Sequence, residues 1–193
     1  MHTPKLQRLE AFSDGVMAIA ITLLAFDLNI PVLSSLQIDV AIKELLPLLP
    51  GIFTFVVSFL TIAIFWVNHH QMTDHMEILN RRIIWANMAF LMFQTLIPFA
   101  TRSVTINPNH PLSVATFSFV LFCGSLSFSI MHLLVHRLIN KEITWNSKLV
   151  QRSLLGPIVY ACAVIASFNY IPIAYFLIAI PLLFYFLPKS VQA

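Results

Sequence analysis

Glycine is scarce in this sequence. Four occur in 193 residues, at Gly15, Gly51, Gly124 and Gly156. They stand too far apart to wrap a phosphate, which excludes the Gly-rich nucleotide-binding loops. Cysteine is scarcer still. Cys123 and Cys162 are the only two, and both sit inside long apolar runs, which argues against a disulfide framework. Charge is the third deficit. Asp, Glu, Lys and Arg make up 10% of the chain, against about 25% in an average soluble domain. No Ser or Asp nucleophile stands at a diagnostic distance from a base, so the chain is not expected to be an enzyme. The net charge of +3 lies in short polar segments without a basic stripe, so nucleic acid is not an expected partner.

What is abundant is hydrocarbon. Hydrophobic residues make up 59% of the chain, with 17 Phe among them. A soluble domain of this length could not hide so much apolar surface, and the apolar residues come in runs. A helix crosses a bilayer with about 20 such residues. Six runs meet that requirement, over about 9–30, 48–67, 83–101, 112–135, 149–168 and 171–187. The expected class is an all-α membrane protein, one six-helix domain over 1–193 with the lipid bilayer as its solvent. Only Asn169 and Tyr170 separate the last two runs, which makes a re-entrant hairpin the competing reading there.

Basic residues orient the spans, because short cytoplasmic loops hold the excess of Lys and Arg. Lys5, Arg8, Arg81, Arg82, Arg137, Lys141, Lys148, Arg152 and Lys189 fall on one side, and Lys43 and Arg102 on the other. Nine against two puts both termini in the cytoplasm. Glu10, Asp14 and Asp27 interrupt the N-terminal run and no small-residue cleavage site follows it, so it does not read as a signal peptide.

A carboxylate within a membrane helix is costly and marks a functional or packing position. The first span carries Asp14 near its start. At about 100° per residue, Arg8, Phe12, Gly15, Ile19, Thr22, Leu23 and Phe26 share one stripe. Ser13 and Asp14 fall off that stripe on opposite sides. The second span has its own polar stripe of Thr54, Ser58, Thr61, Asn68 and His69. Asp14 and Ser13 are therefore expected to anchor the first helix against the Asn68–His69 end. Lying off the stripe, Asp14 is not expected to be an ion ligand, and as a buried carboxylate it must be paired. Arg8 sits at the cytoplasmic mouth, where it can snorkel to the interface or help organise the motif.

Arg8 followed by Phe12, Ser13, Asp14 and Gly15 resembles the Arg-x-x-x-Phe-Ser-Asp signature of the transmembrane protein 175 family. Phe65-Trp66-Val67-Asn68-His69-His70 and Leu96-Ile97-Pro98-Phe99 are similar to the ends of that family's second and third helices. The resemblance implies a potassium channel with a pore lined by the first helices of the assembled subunits. It implies a hydrophobic constriction in place of a Thr-Val-Gly-Tyr-Gly filter, and that filter sequence is absent here. By position after the motif, Ile19 matches the narrowest ring, with Leu23 and Phe26 toward the outside. Phe26 departs from the family's usual aliphatic residue. Thr22 matches a layer implicated in selecting potassium. One first helix cannot enclose a pore, so a homotetramer around a central axis is expected. The single unit and small size point to the plasma membrane of a prokaryote. K+ is the expected permeating ion, with no cofactor and no bound metal.

Other clusters carry weaker readings. His69, His70, Asp74 and His75 match no strong metal spacing. His132 and His136 continue a fourth-span stripe of Ser118, Ser125 and Ser129, which reads as close helix packing. The competing functional classes are a secondary, proton-coupled transporter and a non-conducting membrane assembly protein. The first is disfavoured because Pro98, Pro157, Pro172 and Pro181 show no paired broken helices.

Overall fold

Apolar runs in hydrocarbon can satisfy their backbone polar groups internally only as helices or closed barrels, and here they form helices. The computed structural model describes residues 4–26, 28, 32–74, 76, 79–139 and 148–186. Among these, the long helices are α1 (Pro4–Ala25), α3 (Leu49–Thr73), α4 (Arg81–Ile106), α5 (Pro111–Ile139), α6 (Lys148–Asn169) and α7 (Ile171–Phe186). A short α2 (Ile38–Leu45) and a 3-10 turn (Leu46–Leu48) lie between α1 and α3. The helix ends have local causes. Asn80 caps α4 by accepting from the Ile83 N–H at 2.9 Å. Proline opens α5 at Pro111 and stands in the first turn of α3 at Pro50.

Each of the six expected spans overlaps a long helix, and several boundaries differ. α1 stops at Ala25, short of the expected end at Ile30. Leu23 accepts from the Phe26 N–H at 3.2 Å and Ala25 from the Leu28 N–H at 3.3 Å, a tightening that closes the helix. Asp27, Asn29 and Ile30 of that span lie outside the described residues, as does Leu187 of the last. α3 continues to Thr73, well beyond Val67, because its polar end is bonded to neighbouring helices. α2 was not expected. Its alternation of Ile38, Ile42 and Leu45 with Asp39 and Lys43 gives it an apolar face, yet none of its residues is buried. Ser34 clasps it, with the backbone N–H donating to Glu44 Oε2 at 3.0 Å and the hydroxyl to Oε1. The last two helices form a hairpin linked by Tyr170 alone, and α7 packs back against α6 as well as α3 and α5.

α4 is the hub, touching α1, α3 and α5. Its junction with α3 and α5 is aromatic. Phe65, Phe90 and Phe128 meet pairwise with ring centroids 5.3–5.5 Å apart, and His69 stacks on Phe90. Such offset and edge-on pairs add to simple burial. Small residues let the backbones approach elsewhere. A Cβ at Gly156 would stand 2.5 Å from Ser125 Oγ, and one at Gly51 would stand 2.8 Å from Thr105 Cγ2. The hydroxyl stripe of α5 serves packing. Ser129 bonds both Ser125 O of its own helix and Ser153 O of α6, and His132 Nδ1 lies 3.1 Å from Ser153 Oγ.

Among the described residues, three stretches are long and apolar enough to cross a membrane: Ile38–Thr73, Arg81–Ile106 and Pro111–Leu138. Two shorter apolar stretches, Ser153–Asn169 and Ile171–Leu183, follow. The chain is a multi-pass membrane protein.

Candidate pore helix and its anchors

α1 has two faces that could not differ more in burial. Leu6, Leu9, Ser13, Met17, Ala20 and Leu24 recur every three or four residues and are buried against α3 and α4. The opposite stripe carries Arg8, Phe12, Gly15, Ile19, Thr22, Leu23 and Phe26, and every one of them is exposed. Ile19 is 61% exposed and Phe26 79%. A Cβ built on Gly15 meets nothing within 4 Å. The stripe read from periodicity is thus the face that the other described residues leave bare.

Two of the motif residues, Ser13 and Asp14, bond to other helices. Ser13, fully buried, donates to the Leu9 carbonyl at 2.8 Å and accepts from Asn87 Nδ2 at 2.9 Å. The Asn87 carbonyl oxygen lies 2.9 Å from His69 Nε2. Because the Asn87 amide nitrogen donates to Ser13, its oxygen is the acceptor and His69 carries its proton on Nε2. The result is a buried relay from α3 through α4 to α1. Asp14 goes the other way. Its Oδ1 accepts from Trp66 Nε1 at 2.9 Å, and Trp66 stacks on His70 at 5.9 Å. A charged acceptor makes this a stronger bond than a neutral pair.

The expected contact with the Asn68–His69 end therefore needs correction in detail. His69 reaches Ser13 only through Asn87. Asn68 turns onto its own helix, donating to the Ile64 carbonyl at 2.9 Å. Asp14 is held by Trp66, on the exposed side of α1, and is not buried. Asn87 and Trp66 were missed as partners. The signal for Asn87 was available, since an amide alone in an apolar run needs a partner in hydrocarbon. Trp66 gave none, because a tryptophan near a helix end is ordinary at a membrane interface.

Thr22 has a distinctive state. Its hydroxyl donates to the Ile19 carbonyl at 2.8 Å. The hydrogen is thereby used inside the helix, and the oxygen lone pairs remain on the exposed face. Among the described residues no group of three or more His, Cys, Asp or Glu side chains could hold a metal. His70 and Asp74 form an i,i+4 pair at 3.6 Å.

The described residues form an all-helical membrane bundle whose first helix is bound by a polar relay on one side and bare on the other. The family model described as "Endosomal/lysosomal potassium channel TMEM175" matches residues 8–98, from Arg8 of the motif to Pro98 of α4. A Chryseobacterium protein named a potassium channel is 32% identical over 182 residues, covering 90% of each chain. The protein belongs to the TMEM175 family. TMEM175 of Gallus gallus, named an endosomal/lysosomal proton channel, is 23% identical over 92% of this chain but only 37% of its own length. The crystal structure of a lysosomal potassium-selective channel TMEM175 homolog from Chamaesiphon minutus shares the fold, with a TM-score of 0.81 at 24% identity over 94% of this chain and 96% of that one.

Proposed function

We propose that the protein is a passive, potassium-selective channel in which four copies arrange their α1 helices around a central pore. The observation that carries this reading is the bare stripe of α1. An exposed row of Phe12, Ile19, Leu23 and Phe26 on a helix whose other face is buried is an interface in search of a partner. Beside it run Ala11, Ala18 and Ala25, also exposed. Small residues at that spacing let symmetry-related helices come close. A related Chryseobacterium protein is named a potassium channel, which supports the choice of ion.

In this arrangement Ile19 forms the constriction, and Leu23 and Phe26 line the outer pore. A ring of isoleucines gates by excluding water. Thr22, one turn further out, presents oxygen lone pairs with its hydrogen already bonded. That ring offers partial replacement of an ion's hydration shell without trapping the ion. Ser13 and Asp14 hold the helix in place and stay off the conduction path. The nine-to-two distribution of Lys and Arg supports six spans with both termini in the cytoplasm, in the plasma membrane of a prokaryote. No bound cofactor takes part.

Ion flux through purified protein in liposomes tests the reading, with potassium, sodium and proton gradients in turn. Potassium flux dominates in the wild type, Ile19→Asn raises it, and Thr22→Ala erodes the preference over sodium. Unchanged flux and preference in both variants would move the pore away from α1. A wild type that passes no ions would return the protein to a carrier or a non-conducting assembly role.

A further inference from the structure

A cleft of about 460 Å³ lies over α5, between the C-terminal half of α3 and the N-terminal half of α6. The helices on either side are packed elsewhere, α6 on α5 and α7, and α3 on α1, α4 and α7. Phe65 and Phe128 form an aromatic wall of the cleft, with ring centroids 5.5 Å apart. Asn68, His132 and Ser153 line it too and are half-buried, so it is reached from the surface of the subunit. α3 and α5 belong here to stretches apolar enough to cross a membrane, so that surface meets hydrocarbon or another copy of the chain.

The cleft holds hydrogen-bonding capacity that the described residues do not use. Asn68 spends an amide hydrogen on the Ile64 carbonyl and keeps its side-chain oxygen. His132 meets Ser153 Oγ through Nδ1 and keeps Nε2. The Ser125 hydroxyl, also in the lining, bonds to none of the described residues. An acyl chain alone in the cleft leaves these groups unpaired, at a cost. Water alone fits poorly, because the volume takes roughly fifteen molecules at about 30 Å³ each and the phenyl rings offer them nothing. An ion fits worse, since no Asp, Glu, Lys or Arg lines the cleft and charge in hydrocarbon is expensive. The match is a molecule with an apolar body and a neutral head that both donates and accepts.

We propose that this cleft is a lipid site that admits the neutral, hydroxyl-bearing head of an acylglycerol from the bilayer. A hydroxyl of the head donates to Asn68 Oδ1. Ser153 donates to His132 Nδ1, which leaves Nε2–H and the Ser125 hydroxyl to bond the remaining oxygens of the head. The first carbons of the chain lie on Phe65 and Phe128. No residue of α1 lines the site, and it does not depend on which ion, if any, the protein conducts.

Photolabelling of the purified full-length protein in phospholipid nanodiscs tests it, with a monoacylglycerol that carries a diazirine early in its chain. Label is expected on the peptides that hold Asn68, Phe128 and Ser153. Excess monoolein removes it, whereas methyl oleate, with the same chain and no hydroxyl, does not. Asn68→Leu gives up a bond within α3 alone and lowers the labelling about fivefold, the worth of one hydrogen bond. Label spread evenly over the exposed helix faces overturns the proposal, as does a cleft left unlabelled because another copy covers it. Methyl oleate competing as well as monoolein also overturns it, by making the cleft a slot for any chain. Labelling unchanged in a folded Asn68→Leu protein does the same. The wild-type competition decides the matter even if the variant fails to fold.

Discussion

Asn87 carries more of the attachment of α1 than its single side chain would imply, since it serves two helices at once. Its amide nitrogen holds Ser13 and its oxygen holds His69. Asn87→Ala strands both in the core, at about 1–3 kcal/mol for each buried group left unpaired. Thermal unfolding of the purified protein should show the loss as a large drop in Tm. Asp14 behaves differently because it is exposed and is held by Trp66. Asp14→Ala removes a hydrogen bond to a charged group, worth about 1.5–3 kcal/mol, and weakens assembly or folding. Asp14→Asn keeps an acceptor and costs less. A fully assembled Asp14→Ala protein with altered ion preference would put Asp14 on the conduction path and overturn its assignment as an anchor.

At the scale of the helix, glycines distinguish packed faces from open ones. Gly156 lies where α6 meets Ser125 of α5, so Gly156→Ala forces an overlap and costs about 1–3 kcal/mol. Gly15 has open space around it in the single chain, so Gly15→Ala leaves the fold of the subunit intact. In the proposed assembly its effect appears where α1 helices of different copies meet, as a change in oligomer stability by size-exclusion chromatography. Helix existence was legible throughout the chain, because long apolar runs have no other backbone solution in a membrane. Helix ends were less so. α1 stops at Ala25 through local 3-10 bonding, while α3 runs on to Thr73 through polar residues such as His69, which bonds across to α4. α2 escaped notice because eight residues with one apolar face give little periodicity to count.

For the whole molecule, the arrangement of copies is the open prediction. In a variant with Cys123 and Cys162 replaced by serine, Phe26→Cys should form disulfide-linked dimers of the chain on oxidation in membranes. Leu24→Cys, on the buried face of α1, should not. Cross-links at position 24 without cross-links at 26 would turn the wrong face of α1 toward the axis.

The class of protein, the number of long helices and the two faces of α1 follow from the sequence by itself. Each depends on a local pattern: the length of an apolar run, or the angle between residues on one helix. Arg8, Phe12, Ser13 and Asp14 also carry the family in their spacing. The partners of Ser13 and Asp14 were decided only by the tertiary structure. Asn87 lies 74 residues from Ser13, and Trp66 lies 52 from Asp14. Asn68 and His69 are adjacent in sequence and equally polar. Helix rotation sends His69 into the core against Asn87 and leaves Asn68 to its own backbone. A hydrogen bond between helices depends on their relative rotation and depth, and those are set by the packing of all the helices together.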